Sequence, residues 1–312
     1  MSIADQITRI KNAKLAIKEA IKNKGVNVSD TAKLDEYASL IDSIEVGNGG
    51  ADDGDGISLD DWLKIRTNDY KYFAYLFYGC NATSLDVSNF DTSQATNMSR
   101  MFHMCNRLTS LDVSNFNTSN VTDMSNMFYN CNSLKTLDVS NFNTSNVTNM
   151  NNMFYNCYDL KTLDVSNWDT SNVTDIGNMF YYCSSLTSLD VNNWDTSKVT
   201  TMGYAFQRCT GLTSLDLSNW DGSKVTSSSG FRLFGASTND MPQLTDFKAP
   251  KNIGANFDVS QCPNLTHDSL MSIINNLVQV SSSKTLTLGA TNLAKLSDEE
   301  KAIATNKGWT LK

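Results

Sequence analysis

Residues 131–156 read CNSLKTLDVSNFNTSNVTNMNNMFYN, and the phrase at their centre, LDVSNF, recurs in close variants that start at Leu85, Leu111, Leu137, Leu163, Leu189 and Leu215. Each copy starts 26 residues after the last. An unbroken period of this length marks stacked coils, each burying its apolar side against its neighbours. The expected fold is an α/β repeat solenoid of 26-residue coils carrying a parallel strand ladder. Within a coil, Leu137 and Val139 alternate with Asp138 and Ser140, which predicts a strand over KTLDVS with the first pair inward. Asn141 shares the inward parity, so the asparagines at 89, 115, 141, 167, 193 and 219 are expected to ladder and satisfy backbone groups at the turn. Val147, Met150, Met153 and Phe154 follow at spacings of three, three and one. That spacing predicts a short helical or 3₁₀ turn packed on the strand layer.

The flanks differ from the array. Residues 1–46 read as two helices. Ile3, Ile7, Ile10, Ile17 and Ile21 line one face of the first, and Leu34, Tyr37, Ile41 and Ile44 one face of the second. Two short helices bury little alone, so this module is expected to pair with itself, with sister chains or with a docking partner. Residues 47–60 form an acidic, glycine-rich linker. Asp52, Asp53 and Asp55 lie within it, but Ala51 and Trp62 stand where an EF-hand needs its first and last ligands. The solenoid is expected over 61–262, with 61–79 as an imperfect lead-in. After Trp220 the period degrades through GFRLFG and MPQLTDFKAP. Residues 263–312 read as capping units: a helix over Thr266–Val278, a strand at KTLTLGA, a helix opened by the Ser297/Glu300 capping box, and a final strand at GWTL.

The 312 residues carry a formal net charge of -8. Such a surface repels phosphate, which argues against nucleic acid and anionic membranes as partners. The basic residues of the first 24 positions, from Arg9 to Lys24, are spread round the predicted helix as a solvated face. No run of about 18 apolar residues is present, so no membrane insertion is expected. MSIADQITRIKNAK lacks an apolar signal core; exit from the cell is therefore expected by another route, such as lysis.

Of the seven cysteines, Cys80, Cys105, Cys131, Cys157, Cys183 and Cys209 track the period. One per coil stacks into a column, and small buried thiols are the preferred reading over disulfides. No Cys-x-x-Cys pair exists, and His103 and His267 are isolated, so neither metal nor cofactor is expected. No nucleophile–base arrangement or phosphate loop is present. Repeated carboxylates have identical surroundings, whereas acid–base catalysis needs unlike ones. The chain is accordingly expected not to be an enzyme.

Two columns are the candidate binding surface. Asp86, Asp112, Asp138, Asp164, Asp190 and Asp216 occupy one outward strand position. They suit a basic partner or bridging calcium, or else a solvated face whose carboxylates accept turn hydrogen bonds. Phe90, Phe116, Phe142, Trp168, Trp194 and Trp220 form the next column. They suit sugar stacking or a protein interface, or else an aromatic layer inside the coil corner. Tyr129, Tyr155, Tyr158, Tyr181 and Tyr182 lie near the second turn and are expected to line an outer surface.

The phrase C-x-x-L-x-x-LDVSNF-[ND]-TS-x-VT-x-M-x-x-MF, over roughly residues 75–262, resembles the BspA-like leucine-rich repeats of bacterial surface proteins. The resemblance implies a right-handed solenoid of leucine-rich-repeat type and an adhesive role. ITRIKNAKLAIKEAIKNKGV with AKLDEYASLIDSI is similar to leader segments of bacteriophage tail and appendage proteins. Together these imply a phage virion appendage, of tail or head fibre type. Residues 1–46 would hold it to other virion proteins or sister chains, and the solenoid would bind a host-cell surface protein or glycan. The alternatives are a structural spacer or decoration protein without its own receptor, and a bacterial surface adhesin.

Overall fold

The structure is a computed structural model and describes residues 73–88, 90–235 and 241–312. The predicted helices of 1–46 with their isoleucine stripe, the linker 47–60 with its aspartates, and Asn89 lie outside the described residues.

Successive repeats pair in parallel, one period apart. β1 (Ser84–Leu85), β2 (Ser110–Leu111) and β3 (Thr136–Leu137) form one sheet, with Ser84 opposite Ser110 and Ser110 opposite Thr136. The row continues as a single bridge from Thr136 to Thr162. β4 (Ser214–Asp216) pairs with β5 (Asp246–Lys248), 32 residues on, so the degraded stretch after Trp220 absorbs six extra residues without leaving the register. The result is a repeat protein with parallel strands in small sheets and few helices.

The strands are shorter than KTLDVS predicts, and the aspartate at their end explains why. Oδ1 of Asp86, Asp112, Asp138 and Asp164 accepts the backbone N–H two residues on, at 2.9–3.0 Å. This Asx turn bends the chain out of the strand. The next aromatic N–H then closes on the valine carbonyl three residues back, as from Phe142 to Val139. The same device recurs twice more in the coils from Asp86 to Asp175. Asn143 turns the chain through the N–H of Ser145, and Asn149 through that of Asn151.

The second half of each coil is not helical, and this corrects the expected strand-plus-helix unit. Alternate N–H groups leave the coil: those of Met98, Arg100, Phe102 and Met104 donate to the carbonyls of Asp123, Ser125, Met127 and Tyr129. The N–H groups between them close turns three residues back, as from Met101 to Met98 and from His103 to Arg100. Left-handed residues sit at two positions per coil, including Asn126, Asn130, Asn152 and Asn156. Asparagine tolerates that conformation better than most side chains. The three-three-one spacing buries Met150, Met153 and Phe154 in this turn row just as it would in a helix.

The core is a set of one-residue columns. Phe77, Phe102, Phe128, Phe154, Phe180 and Phe206 stack with centroids 5.2–5.8 Å apart. Cys105, Cys131, Cys157, Cys183 and Cys209 are buried and unbridged. Each thiol lies 3.0–3.1 Å from a phenylalanine carbonyl of the preceding coil, to which it donates. Burial pushes the Cys157 and Cys209 thiols up to about 12, far from the reactive thiolate.

The C-terminal segment is built differently. α1 (His267–Asn276) is capped by Thr266, and α3 (Asp298–Asn306) opens on the Ser297/Glu300 capping box. Before, between and after them, β6 (Phe257–Asp258), β7 (Lys284–Thr287) and β8 (Trp309–Leu311) form a third parallel sheet in the order β6-β7-β8, with the short α2 (Ala290–Leu293) following β7. No helix among the described residues is long and apolar enough to cross a membrane.

Candidate binding face

The outward strand positions form a shallow trough. Its longer part, about 830 Å³, runs from Ser84 and Leu85 to Ser188 and Asp190. A second part of about 280 Å³ continues to Asp216 and Lys248. The floor is the leucine column, with Leu111, Leu137 and Leu163 buried. One wall is the aspartate column. Asp86, Asp112, Asp138, Asp164 and Asp190 are exposed, and Asp216 is half-buried.

Serine partners orient four of the carboxylates. The Ser88 hydroxyl, then its backbone N–H, holds Asp86 below the usual carboxylate range. Ser114, Ser140 and Ser166 do the same for Asp112, Asp138 and Asp164. The Ser140 hydroxyl lies 2.6 Å from Asp138 Oδ1. With Oδ1 engaged in the turn, these carboxylates retain acceptor capacity for donors in the trough. At the C-terminal end, Lys248 faces Asp216 across the register, and its Nζ lies 2.7 Å from Oδ2. Chemically, the face can accept hydrogen bonds and pair with cations along a line. Among the described residues, no group of three or more His, Cys, Asp or Glu is placed to hold a metal ion.

The aromatic column does not belong to this face. Phe90, Phe116, Phe142, Trp168, Trp194 and Trp220 are all buried, with at most 6% of any of them exposed. Each follows an Asx turn that carries the chain round the corner, so its ring packs inward against the phenylalanine stack, as Trp168 does on Phe154 at 6.2 Å. The change from Phe to Trp has a backbone reason. Val87 and Val113 carbonyls accept from the side-chain amides of Asn115 and Asn141. The equivalent carbonyls of Val139, Val165 and Val191 accept from the indole Nε1 of Trp168, Trp194 and Trp220. Asn115 and Asn141 thus perform the expected backbone role, but from exposed positions rather than inward ones.

A tyrosine row lies on the turn side. Tyr78, His103, Tyr129, Tyr155 and Tyr181 stack ring on ring at 4.4–4.8 Å. Their faces are covered by one another, so only Tyr158 among the expected outer tyrosines offers substantial exposed area. His267 lies 2.8 Å from Glu300 and links α1 to α3.

Sequence reasoning missed the second wall of the trough: Ser84, Ser110, Thr136, Thr162 and Ser188. Their signal was present, since they share the outward parity of the aspartates two residues on. Lys248 carried no comparable signal, because its rung follows a 32-residue offset instead of 26.

The family described as "Mycoplasma protein of unknown function, DUF285" matches residues 71–163 and again 158–258, together more than half of the chain. The doubled match agrees with the BspA-like character of the repeats. It begins after residues 1–46 and does not support the phage-type resemblance expected for them. No curated protein matches the chain.

Proposed function

The chain belongs to the DUF285 family, and from that premise we propose that residues 61–312 form a leucine-rich-repeat-type solenoid that binds a host-cell surface ligand without catalysis. The observation that supports this reading is the trough, where oriented carboxylates recur at every coil beside a row of hydroxyls. Repetition suits a ligand with several weak points of attachment, whose contacts add. A basic protein segment fits the charge. In this reading residues 1–46 carry the solenoid on a phage virion as a tail or head appendage.

The test uses the full chain, fluorescently labelled, on candidate host cells. Asp112, Asp138, Asp164 and Asp190 are replaced together by Asn, which still closes an Asx turn through its side-chain oxygen. The reading expects cell binding to fall at least about tenfold while the circular dichroism spectrum is unchanged. Equal binding by the two proteins would remove the trough from the function.

A second reading is favoured by the serine bonds to the same aspartates. Carboxylates already engaged by Ser114, Ser140 and Ser166 suit a spacer or decoration protein whose polar face only keeps the stack soluble. Deleting residues 61–312 from the particle separates the two: adsorption collapses under the first reading and survives under the second.

A further inference from the structure

We infer that His103 makes the rungs of residues 73–104 open in acid, while the central rungs stay closed. In the tyrosine row every stacked position from Tyr78 to Tyr181 holds a tyrosine except this one. The His103 ring lies between Tyr78 at 4.8 Å and Tyr129 at 4.5 Å. It is 8% exposed, and its Nδ1 is buried with no hydrogen-bond partner. A neutral imidazole tolerates this place. An imidazolium would bury an N–H donor with nothing to accept it.

The charged surroundings push the same way. Tyr78 faces His103 from the preceding rung and Tyr129 from the following one. Within its own rung the charge that acts on it is Arg100, whose guanidinium lies 5.2 Å above the Tyr75 ring and bonds the Tyr75 hydroxyl. Burial first, and then Arg100, holds the imidazole down to about 4 from its usual 6.5. An opened rung restores the usual value. Stability is therefore lost as pH falls from 6.5 toward 4, and the opening constant at pH 5 exceeds that at pH 8 by about thirtyfold.

Position decides what opens. In a stack where each repeat touches only its neighbours, one pair of rungs can separate locally while distant rungs stay closed. The rungs holding His103 are tied on by the N–H of Gly79 to the His103 carbonyl and by that of Met104 to the Tyr129 carbonyl, both at 2.7 Å. Acid would therefore loosen the rungs that flank His103 and spare the trough's centre.

The test is amide hydrogen exchange on the full chain and on His103→Tyr, which restores the residue found at positions 129, 155 and 181. Both proteins are compared at pH 8 and pH 5, so intrinsic exchange cancels in their ratio. The ratio of native to variant exchange in residues 73–104 is expected to rise about thirtyfold between the two pH values and to stay level in residues 147–160. A ratio that stays level in 73–104, or rises equally in both segments, overturns the inference. So does an NMR titration in which the His103 ring of the folded protein protonates near 6.5.

Discussion

Residues 73–235 and 241–312 bury their apolar side chains equally well but by opposite means. In the first region each interaction is one copy in a column: Cys131 repeats Cys105, Phe154 repeats Phe128, and Thr144 repeats Thr118 in donating to the coil that follows. In the second region the contacts that hold the helices are single. Lys307 Nζ donates to the Ile274 and Asn275 carbonyls at the end of α1, and Lys295 Nζ reaches the Pro263 and Leu265 carbonyls. A column repeats one contact from coil to coil, whereas a single contact has no copy. Long-range repetition therefore provides the surface, and unique contacts provide the end.

The largest expected effect tests the columns themselves. Phe154→Ala removes a fully buried ring between Phe128 and Phe180, and urea unfolding should show a loss of about 3–5 kcal/mol. A loss under about 1 kcal/mol would mean that neighbouring coils collapse into the gap, which would sharpen the contrast in favour of the array. Next is Lys307→Met, which keeps the aliphatic stem but strips the α1 carbonyls of their donor. A loss of about 1–2 kcal/mol is expected in the same measurement. Trp194→Phe converts one rung of the tryptophan half to the phenylalanine half and leaves the Val165 carbonyl without its indole donor. A loss of about 1–2 kcal/mol is expected, and a neutral result would show that an asparagine amide takes over, as Asn115 and Asn141 do. Ser297→Ala breaks the capping box of α3 at a cost of about 1 kcal/mol, readable as a lower thermal midpoint.

The smallest effect is a pH dependence confined to the array. The carboxyls of Asp86, Asp112, Asp138 and Asp164 are depressed by their serine partners. Their contribution is present above the usual 3.8 and is lost as pH falls through the lower folded values. Replacing the four by Asn should flatten the acid limb of a stability–pH curve below pH 4. An unchanged limb would assign acid sensitivity elsewhere.

Much of this was legible in the sequence because a period of 26 applies one set of constraints many times over. The inward Leu137 and Val139, the thiol column and the outward aspartates all follow from parity and repetition. The short helical or 3₁₀ turn expected over VTNMNNMF is replaced by turns bonded to the next coil, for a specific reason. Three-three-one spacing reports which side chains face the core, but not whether the backbone bonds within its own coil or with the next. Asn152 and Asn156, four residues apart in the left-handed conformation, mark the second option. The aromatic column was ambiguous for a related reason. Phe142 follows the outward Asp138 and Ser140 through an Asx turn, and parity counted along a strand has no meaning past a turn.

The sequence by itself determined the repeat, its length, its apolar columns and the acidic character of one strand position, because each is a property of residue type at fixed spacing. Only the tertiary structure decided where the backbone bonds go. Coil-to-coil hydrogen bonding competes with local helix formation, and stacking lets alternate N–H groups pair with the next coil. It also decided that the tryptophans are interior donors, that hydroxyls line the second wall of the trough, and that the Nδ1 of one histidine among stacked tyrosines has no hydrogen-bond partner. Those facts depend on neighbours 25 to 29 residues away, whose distance in space no local pattern records.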